Sequence, residues 1–193
     1  IRRVNEIAIE MGLVEKVLSD EEIVKYRGMT INQILDSLNV PIAKLPALLV
    51  KYKKRVNENI HEEEVFDGQT ELLNEFNKKF KLIILTSNSK ENVEKFLEHN
   101  HLTGIFDEIY SEKNYLGKGR ALKKVIKKGD LEIEESIYIG DEVRDIEACK
   151  SIGLKIISVT WGFNSKELIQ QYQPDFMVDS VSEFRDLLKT LTS

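Results

Sequence analysis

The hydrophobic pattern changes at about Glu63, and this change constrains the fold more than any other feature of the sequence. Beyond it, short apolar runs alternate with longer amphipathic segments. The apolar runs span 81–85, 105–110, 136–139, 155–159 and 175–178, and the amphipathic segments span 70–79, 90–99, 119–128, 145–151, 166–171 and 182–191. Runs that are apolar throughout are typical of parallel strands buried on both faces. Because the intervening segments are long enough for crossover helices, residues 63–193 are predicted to form a doubly wound α/β domain.

Residues 1–62 show a different periodicity. Apolar residues recur there every three or four positions, as at Ile31, Ile34 and Leu38, without the alternation that a strand would show. Ser19 precedes a run of acidic residues and Pro41 follows the last apolar repeat, which match helix start and stop signals. We therefore predict a separate all-helical domain over residues 1–62.

Charge and composition exclude several classes of partner. The formal net charge is −5 and the pI is about 5.4, which disfavours a surface built to bind nucleic acid. No apolar run approaches the roughly 18 residues of a membrane span, and the single cysteine, Cys149, cannot form an intrachain disulfide. The amino terminus lacks the pattern of a signal peptide. We predict a cytoplasmic monomer or homodimer that binds neither nucleic acid nor membrane.

The first candidate site follows the apolar run that ends at Leu85. It reads Thr86-Ser87-Asn88-Ser89 and precedes a predicted helix. Hydroxyls, an amide and free backbone N–H groups at the start of a helix can cradle a phosphate. The alternative is that one of these residues only caps the helix, and the position by itself does not decide between them.

The second candidate site follows the run that ends at Ile139. Gly140-Asp141 comes directly after the strand, and Asp145 lies four residues beyond Asp141. Two carboxylates at a strand end suit Mg²⁺, a hard ion that takes oxygen ligands and keeps waters shared with a phosphate. Acidic residues are also common in the first turn of a helix, so helix capping is the alternative.

Lys118, the third candidate, immediately precedes the predicted helix 119–128. A fixed ammonium at this place could neutralise a phosphate or hold carboxylates together. Taken alone, a lysine is most often a surface residue, and Lys118 becomes a candidate only beside the other two sites.

In order and spacing, these three sites resemble the second, third and fourth motifs of the haloacid dehalogenase superfamily, in its phosphoglycolate phosphatase-like branch. The resemblance implies that Ser87, helped by Asn88, binds the transferring phosphoryl group, with Thr86 as the alternative hydroxyl in this register. It implies that Lys118 balances charge on the phosphate and the nucleophile. Asp141 would be a direct Mg²⁺ ligand, and Asp145 would support it.

The helical residues 1–62 resemble the cap domain that selects substrates in this superfamily. Within them, Tyr26-Arg27-Gly28-Met29-Thr30 resembles the cap loop that reaches toward the active site. The resemblance makes Arg27 a candidate contact for a substrate anion. A turn that carries an exposed arginine is the alternative.

The superfamily's first motif, Asp-x-Asp-Gly-Thr after an apolar strand, does not occur in the sequence. The nearest imitation is Phe66-Asp67-Gly68-Gln69-Thr70, where Val65 stands in the place of the nucleophile. The resemblance implies that the printed chain lacks its nucleophilic aspartate and a central strand, so we expect it to be inactive, with two unpaired strand edges. We also expect about twenty further residues upstream, the length of one strand and its loop.

Together these features predict a Mg²⁺-dependent phosphatase that hydrolyses a small phosphorylated metabolite, with phosphoglycolate tested first, through an aspartyl-phosphate. A sugar phosphomutase on the same frame is an alternative. A non-catalytic relative that binds a phosphorylated ligand or a protein is another. A dehalogenase that uses no Mg²⁺ is disfavoured by the carboxylate pair Asp141 and Asp145.

Overall fold

The computed structural model of the protein describes residues 1–59, 63–111 and 117–191. The amino-terminal part is helical, with α1 (Arg2–Glu10), α2 (Asp20–Arg27), α3 (Ile31–Ser37), a 3₁₀ turn (Ile42–Lys44) and α4 (Leu45–Asn59). The remainder runs α5 (Gln69–Phe76), β1 (Ile83–Thr86), α6 (Lys90–His99), β2 (Glu108–Ser111), α7 (Lys118–Lys128), a 3₁₀ turn (Ile133–Glu135), β3 (Ile137–Gly140), α8 (Val143–Lys150), β4 (Lys155–Val159), α9 (Lys166–Gln171), β5 (Phe176–Val178) and α10 (Val181–Leu191). Within the described residues, no helix is long and apolar enough to cross a membrane.

The helical part has its own apolar core. Its buried members come from α1, from the segment after α3 and from α4: Ile7, Ala8, Val40 and Leu48. Capping boxes begin α2 at Ser19 and α3 at Thr30. In each box, the N-cap residue and the residue three positions later accept each other's backbone N–H through their side chains. The predicted boundary at residue 62 falls in 60–62, which lie outside the described residues, so the division into two domains stays a prediction.

The strands are parallel, as predicted, and form two ladders. One pairs β1 with β2, and the other has the order β3-β4-β5. No ladder among the described residues joins β1 to β3, so each of these strands has one unpaired edge. The two ladders share flanking helices, because α7 packs against β1 and against α8, which in turn packs against β3.

Most predicted elements lie within a few residues of their observed bounds, and the largest shifts, of three residues, are at the end of α5 and the start of β2. The strand begins at Glu108 instead of Ile105 because the preceding residues form a corner. Asp107 accepts a hydrogen bond from the Leu82 N–H through its carboxylate at 2.7 Å, and its own N–H donates to the Leu82 carbonyl at 2.8 Å. Ile105 is buried against α6 and not in the ladder.

Candidate active site

The loop after β3 and the first turn of α8 carry the two predicted metal-site carboxylates, Asp141 and Asp145. β3 ends at Gly140, Glu142 is the N-cap of α8, and Asp145 is the third residue of its first turn. Asp145 is 1% exposed and accepts a hydrogen bond from the Glu142 N–H at 3.3 Å. Asp145 therefore contributes to the capping of α8, which was the alternative to metal binding predicted for it. The same hydrogen bond fixes the position of its carboxylate.

Two glycines make room for the two carboxylates. A Cβ at Gly140 would lie 2.9 Å from Asp145 Cγ, and a Cβ at Gly162 would lie 2.6 Å from Asp141 Cγ. Real Cβ atoms do not approach other atoms so closely, so any larger residue at either position would displace a carboxylate. Asp141 is held further by the Phe163 N–H, which donates to Oδ2 at 2.7 Å.

Lys118 is not a surface residue, because its side chain is only 23% exposed and its ammonium forms an ion pair with Asp145. The ammonium also lies 5.4 Å from the centre of the Tyr138 ring, within the range of a cation–π contact. Gly119 lets α7 approach α8, since a Cβ there would lie 2.9 Å from Ser151 Oγ. Two roles were predicted for this cation, neutralising a phosphate or holding carboxylates together. In the structure its ammonium contacts one carboxylate, that of Asp145.

Burial dominates the electrostatics of this cluster. It raises the pKa of Asp145, although Lys118 opposes the shift. Burial alone would lower the pKa of Lys118, but Asp145 and Tyr138 outweigh it and the pKa of Lys118 is raised. Burial also raises the pKa of Tyr138 to about 12. Lys118 is therefore an ammonium and Tyr138 a neutral phenol throughout the neutral range.

The first candidate site lies at the end of β1, and its residues divide into two groups. Ser89 is the N-cap of α6 and accepts a hydrogen bond from the Asn92 N–H at 3.3 Å. Thr86 Oγ1 accepts from the Asn88 N–H at 3.1 Å. Within the part of the chain that the structure describes, the Ser87 hydroxyl and the Asn88 carboxamide make no hydrogen bond to another residue. Helix capping therefore leaves these two side chains available for a ligand.

Arg27 is half-buried, so the alternative of an exposed arginine on a turn is wrong. Its Nη2 donates to the Gly162 carbonyl at 2.8 Å and the Thr160 carbonyl at 3.2 Å, and its Nε donates to the Phe163 carbonyl at 3.3 Å. In this conformation the guanidinium binds the loop after β4. A contact between Arg27 and a substrate anion stays a prediction.

The donor set at the β3 end fits Mg²⁺ in part. Mg²⁺ is commonly held by one or two carboxylates, with waters and substrate oxygens completing six ligands. Asp141 Oδ1 makes no hydrogen bond to another described residue, so it is available as a direct ligand, whereas Asp145 is bound by Lys118. Across the described ranges, no group of three or more His, Cys, Asp or Glu side chains could hold a metal ion. The residues fit one direct carboxylate ligand with a supporting carboxylate behind it.

The sequence predictions missed the loop after β4. Gly162, Phe163 and Asn164 all contact Asp141 or the loop that carries it, and Asn164 is only 2% exposed. The rule that located the other sites could have found this loop, since it also follows the carboxyl end of a buried parallel strand. Arg144 was missed as well; it forms an ion pair with Glu142, which opposes a rise in the Glu142 pKa caused by burial.

Comparison with known proteins gives a consistent result. The sequence model of the haloacid dehalogenase-like hydrolases matches residues 1–159. A phosphoglycolate phosphatase from Synechococcus elongatus is 32% identical over 146 residues, which are 75% of this chain and 68% of that protein. A pyrophosphatase, PpaX, from Bacillus cereus is 24% identical over 177 residues, covering 89% of this chain and 81% of that protein.

A solved structure extends the likeness to the fold. A haloacid dehalogenase-like hydrolase from Streptococcus pneumoniae superposes with a TM-score of 0.79 at 19% identity, covering 97% of this chain and 90% of that one. The predicted fold class, a parallel sheet of this type flanked by helices, is confirmed by that similarity.

Proposed function

The chain belongs to the haloacid dehalogenase-like hydrolase family, in its phosphoglycolate phosphatase-like branch, and is a phosphatase; from this premise we propose that it hydrolyses a small phosphorylated metabolite with the help of Mg²⁺. One observation carries the proposal. At the end of β3 the Asp141 carboxylate is seated on Gly162 beside the buried Asp145–Lys118 ion pair, an arrangement that gathers negative and positive charge at one strand end.

In the proposed mechanism, Asp141 would hold Mg²⁺ through the carboxylate oxygen that is left free, because the Phe163 N–H donates to Oδ2. Asp145 stays behind it as a carboxylate paired with Lys118. When bound, Mg²⁺ would neutralise charge that develops on the phosphoryl oxygens. The partial ligand set supports this assignment, because a site of this kind leaves positions for water and for a substrate phosphate.

Ser87 and Asn88 are proposed to bind the phosphoryl oxygens by donating hydrogen bonds. Their availability supports the assignment, since Ser89 already caps α6 and neither side chain is used by another described residue. Lys118, whose ammonium is fixed by Asp145, is proposed to add a positive charge for the same phosphoryl group. Donors that are fixed before the reaction stabilise developing charge without reorganisation.

The proposed aspartyl-phosphate requires a nucleophilic carboxylate that the printed sequence does not offer in an Asp-x-Asp-Gly-Thr motif. The unpaired edges of β1 and β3 support a location for it, because a strand that paired with both would join the two ladders. We propose that the nucleophile is carried by a strand in that position.

The test is phosphate release from p-nitrophenyl phosphate and phosphoglycolate by the protein expressed from its full natural reading frame, with and without Mg²⁺. Phosphoglycolate comes first because one relative is named a phosphatase of that compound. Asp141→Asn is expected to abolish turnover that depends on Mg²⁺, while Asp186→Asn, the same change at an exposed residue of α10, is expected to leave it intact. Equal loss in both variants, or turnover independent of Mg²⁺, would contradict the proposal.

A further inference from the structure

The loop of residues 160–165, after β4, joins the helical part of the chain to the loop that carries Asp141. We call it the 160–165 loop. One of its residues, Asn164, is 2% exposed, which is unusual for a polar side chain unless its hydrogen-bonding groups are satisfied. The partners of this carboxamide come from two distant parts of the sequence.

One end of the carboxamide binds the start of α8, because Asn164 Oδ1 accepts from the Val143 N–H at 3.0 Å. The other end binds the turn after α2, where Nδ2 donates to the Met29 carbonyl at 3.1 Å and the Arg27 carbonyl at 3.3 Å. A backbone N–H can only donate and a carbonyl can only accept, so only one orientation of the amide satisfies all three contacts. Asn164 is therefore a directional bridge.

The same segment holds Asp141 through its backbone. The Asn164 N–H donates to the Asp141 carbonyl at 3.1 Å, and the Phe163 N–H donates to Asp141 Oδ2 at 2.7 Å. Both the main chain and the carboxylate of Asp141 are thus fixed by two consecutive residues. A shift of the 160–165 loop would move the oxygen that faces the proposed metal.

The turn after α2 binds the 160–165 loop at further points. The Ser165 N–H donates to the Arg27 carbonyl at 2.8 Å, while the Arg27 guanidinium donates to the carbonyls of Thr160, Gly162 and Phe163. Hydrogen bonds from a charged donor are about twice as strong as neutral ones. The position of α2 therefore determines the conformation of the loop that fixes Asp141.

We propose that Asn164 is a positioning residue that couples the docking of the helical residues 1–59 to the placement of the Asp141 carboxylate. The proposal rests on the proposed function in taking Asp141 as the Mg²⁺ ligand. Its consequence is that metal binding is complete only when the turn after α2 is seated on the 160–165 loop. If the helical residues 1–59 moved away from the 160–165 loop, Asn164 would lose its hydrogen bonds to the carbonyls of Arg27 and Met29.

Asn164→Asp tests the bridge, because the carboxylate keeps the shape of the side chain and still accepts from the Val143 N–H. It cannot donate to the carbonyls of Arg27 and Met29, and it places negative charge against them. Changes to residues that support a metal ligand commonly weaken metal affinity tenfold to a hundredfold. We expect the dissociation constant for Mn²⁺, measured by electron paramagnetic resonance without substrate, to rise about tenfold or more, with a parallel fall in kcat.

Asn74→Asp is the matched control. Asn74 is exposed on α5 and donates one hydrogen bond to the Thr70 carbonyl at 2.8 Å, so the same chemical change removes a similar contact far from the loop. Arg27→Met is a second variant that acts from the helical side and leaves Asn164 intact. It is expected to weaken Mn²⁺ binding in the same direction, and it keeps the proposal testable if Asn164→Asp does not fold.

A folded Asn164→Asp variant, or in its place Arg27→Met, with Mn²⁺ affinity and kcat both within twofold of wild type would overturn the coupling. If the wild-type protein binds no Mn²⁺, the proposed function fails instead. The coupling is then measured by hydrogen exchange at the Phe163 amide, whose N–H donates to Asp141 Oδ2. Faster exchange of that amide in Asn164→Asp, but not in Asn74→Asp, would support the coupling. Unchanged exchange would refute it.

Discussion

Removing either partner of the Lys118–Asp145 ion pair should destabilise the fold, and the two losses should respond differently to pH. The side chains are 23% and 2% exposed, so each charge depends on the other for compensation. Removing one member of a buried pair costs about 3–5 kcal/mol. Because the Lys118 ammonium keeps its contact with the Tyr138 ring, we place Asp145→Asn near the lower end, about 3 kcal/mol.

The pH dependence follows from the directions of the pKa shifts. Asp145 stabilises the charged form of Lys118, whose folded pKa is raised, so the loss in Asp145→Asn is fully present below the ordinary lysine pKa of 10.5 and fades only above it. In Lys118→Met, Asp145 loses the cation that opposed the rise of its pKa. The carboxyl can then take up a proton more readily, so the loss in this variant should shrink as the pH falls through the raised pKa of Asp145.

Urea unfolding of both single variants and of the double variant Asp145→Asn/Lys118→Met measures these energies. The double variant removes both charges, so it should be less destabilised than the sum of the single losses by about 2 kcal/mol or more. In thermal unfolding, Asp145→Asn should lower Tm by about 6–12 °C for a chain of this size. Additive losses, within about 0.5 kcal/mol, would refute the view that the two charges compensate each other.

Three further predictions use single substitutions or chemical labelling. Gly162→Ala should lower Mg²⁺-dependent kcat more than tenfold, because the new Cβ must displace the Asp141 carboxylate. Unchanged kinetics would contradict the close packing of Asp141 against Gly162. Ser87→Ala should reduce kcat and leave Tm unchanged, whereas Ser89→Ala should reverse the pattern, with a loss of about 1 kcal/mol from an uncapped α6 and normal turnover. Burial raises the pKa of the Cys149 thiol to about 12, so Ellman's reagent at pH 8 should label it only in denaturant. The free energy of unfolding should also fall as the pH rises above the thiol's ordinary pKa of 9.0. Labelling of the native protein would refute this.

Local sequence signals predicted the elements whose boundaries are set by neighbouring residues. The observed bounds of α6, β4 and α9 equal the predicted ones, because Ser89 and Ser165 cap the two helices and the mostly apolar run of β4 lies between Lys155 and Thr160. β2 was misplaced because Ile105 is apolar for a tertiary reason, its burial against α6. Composition does not distinguish burial in a ladder from burial under a helix.

The candidate site was only partly predictable for the same reason. Polar residues after strands could be found one strand at a time, which gave Ser87, Asn88 and Asp141. Exact pairings between distant segments could not. Lys118 was predicted to neutralise a phosphate or to hold carboxylates together, and only the folded chain pairs it with Asp145 in particular. The bridge at Asn164 also depends on three backbone groups whose positions exist only in the folded chain.

The unpaired edges of β1 and β3 among the described residues also affect how copies of the chain behave toward one another. An open edge exposes a row of backbone donors and acceptors that can pair with another chain. Ile139, in β3, is 44% exposed, so an apolar side chain accompanies the open backbone. Copies in this state are expected to associate edge to edge and precipitate as concentration rises.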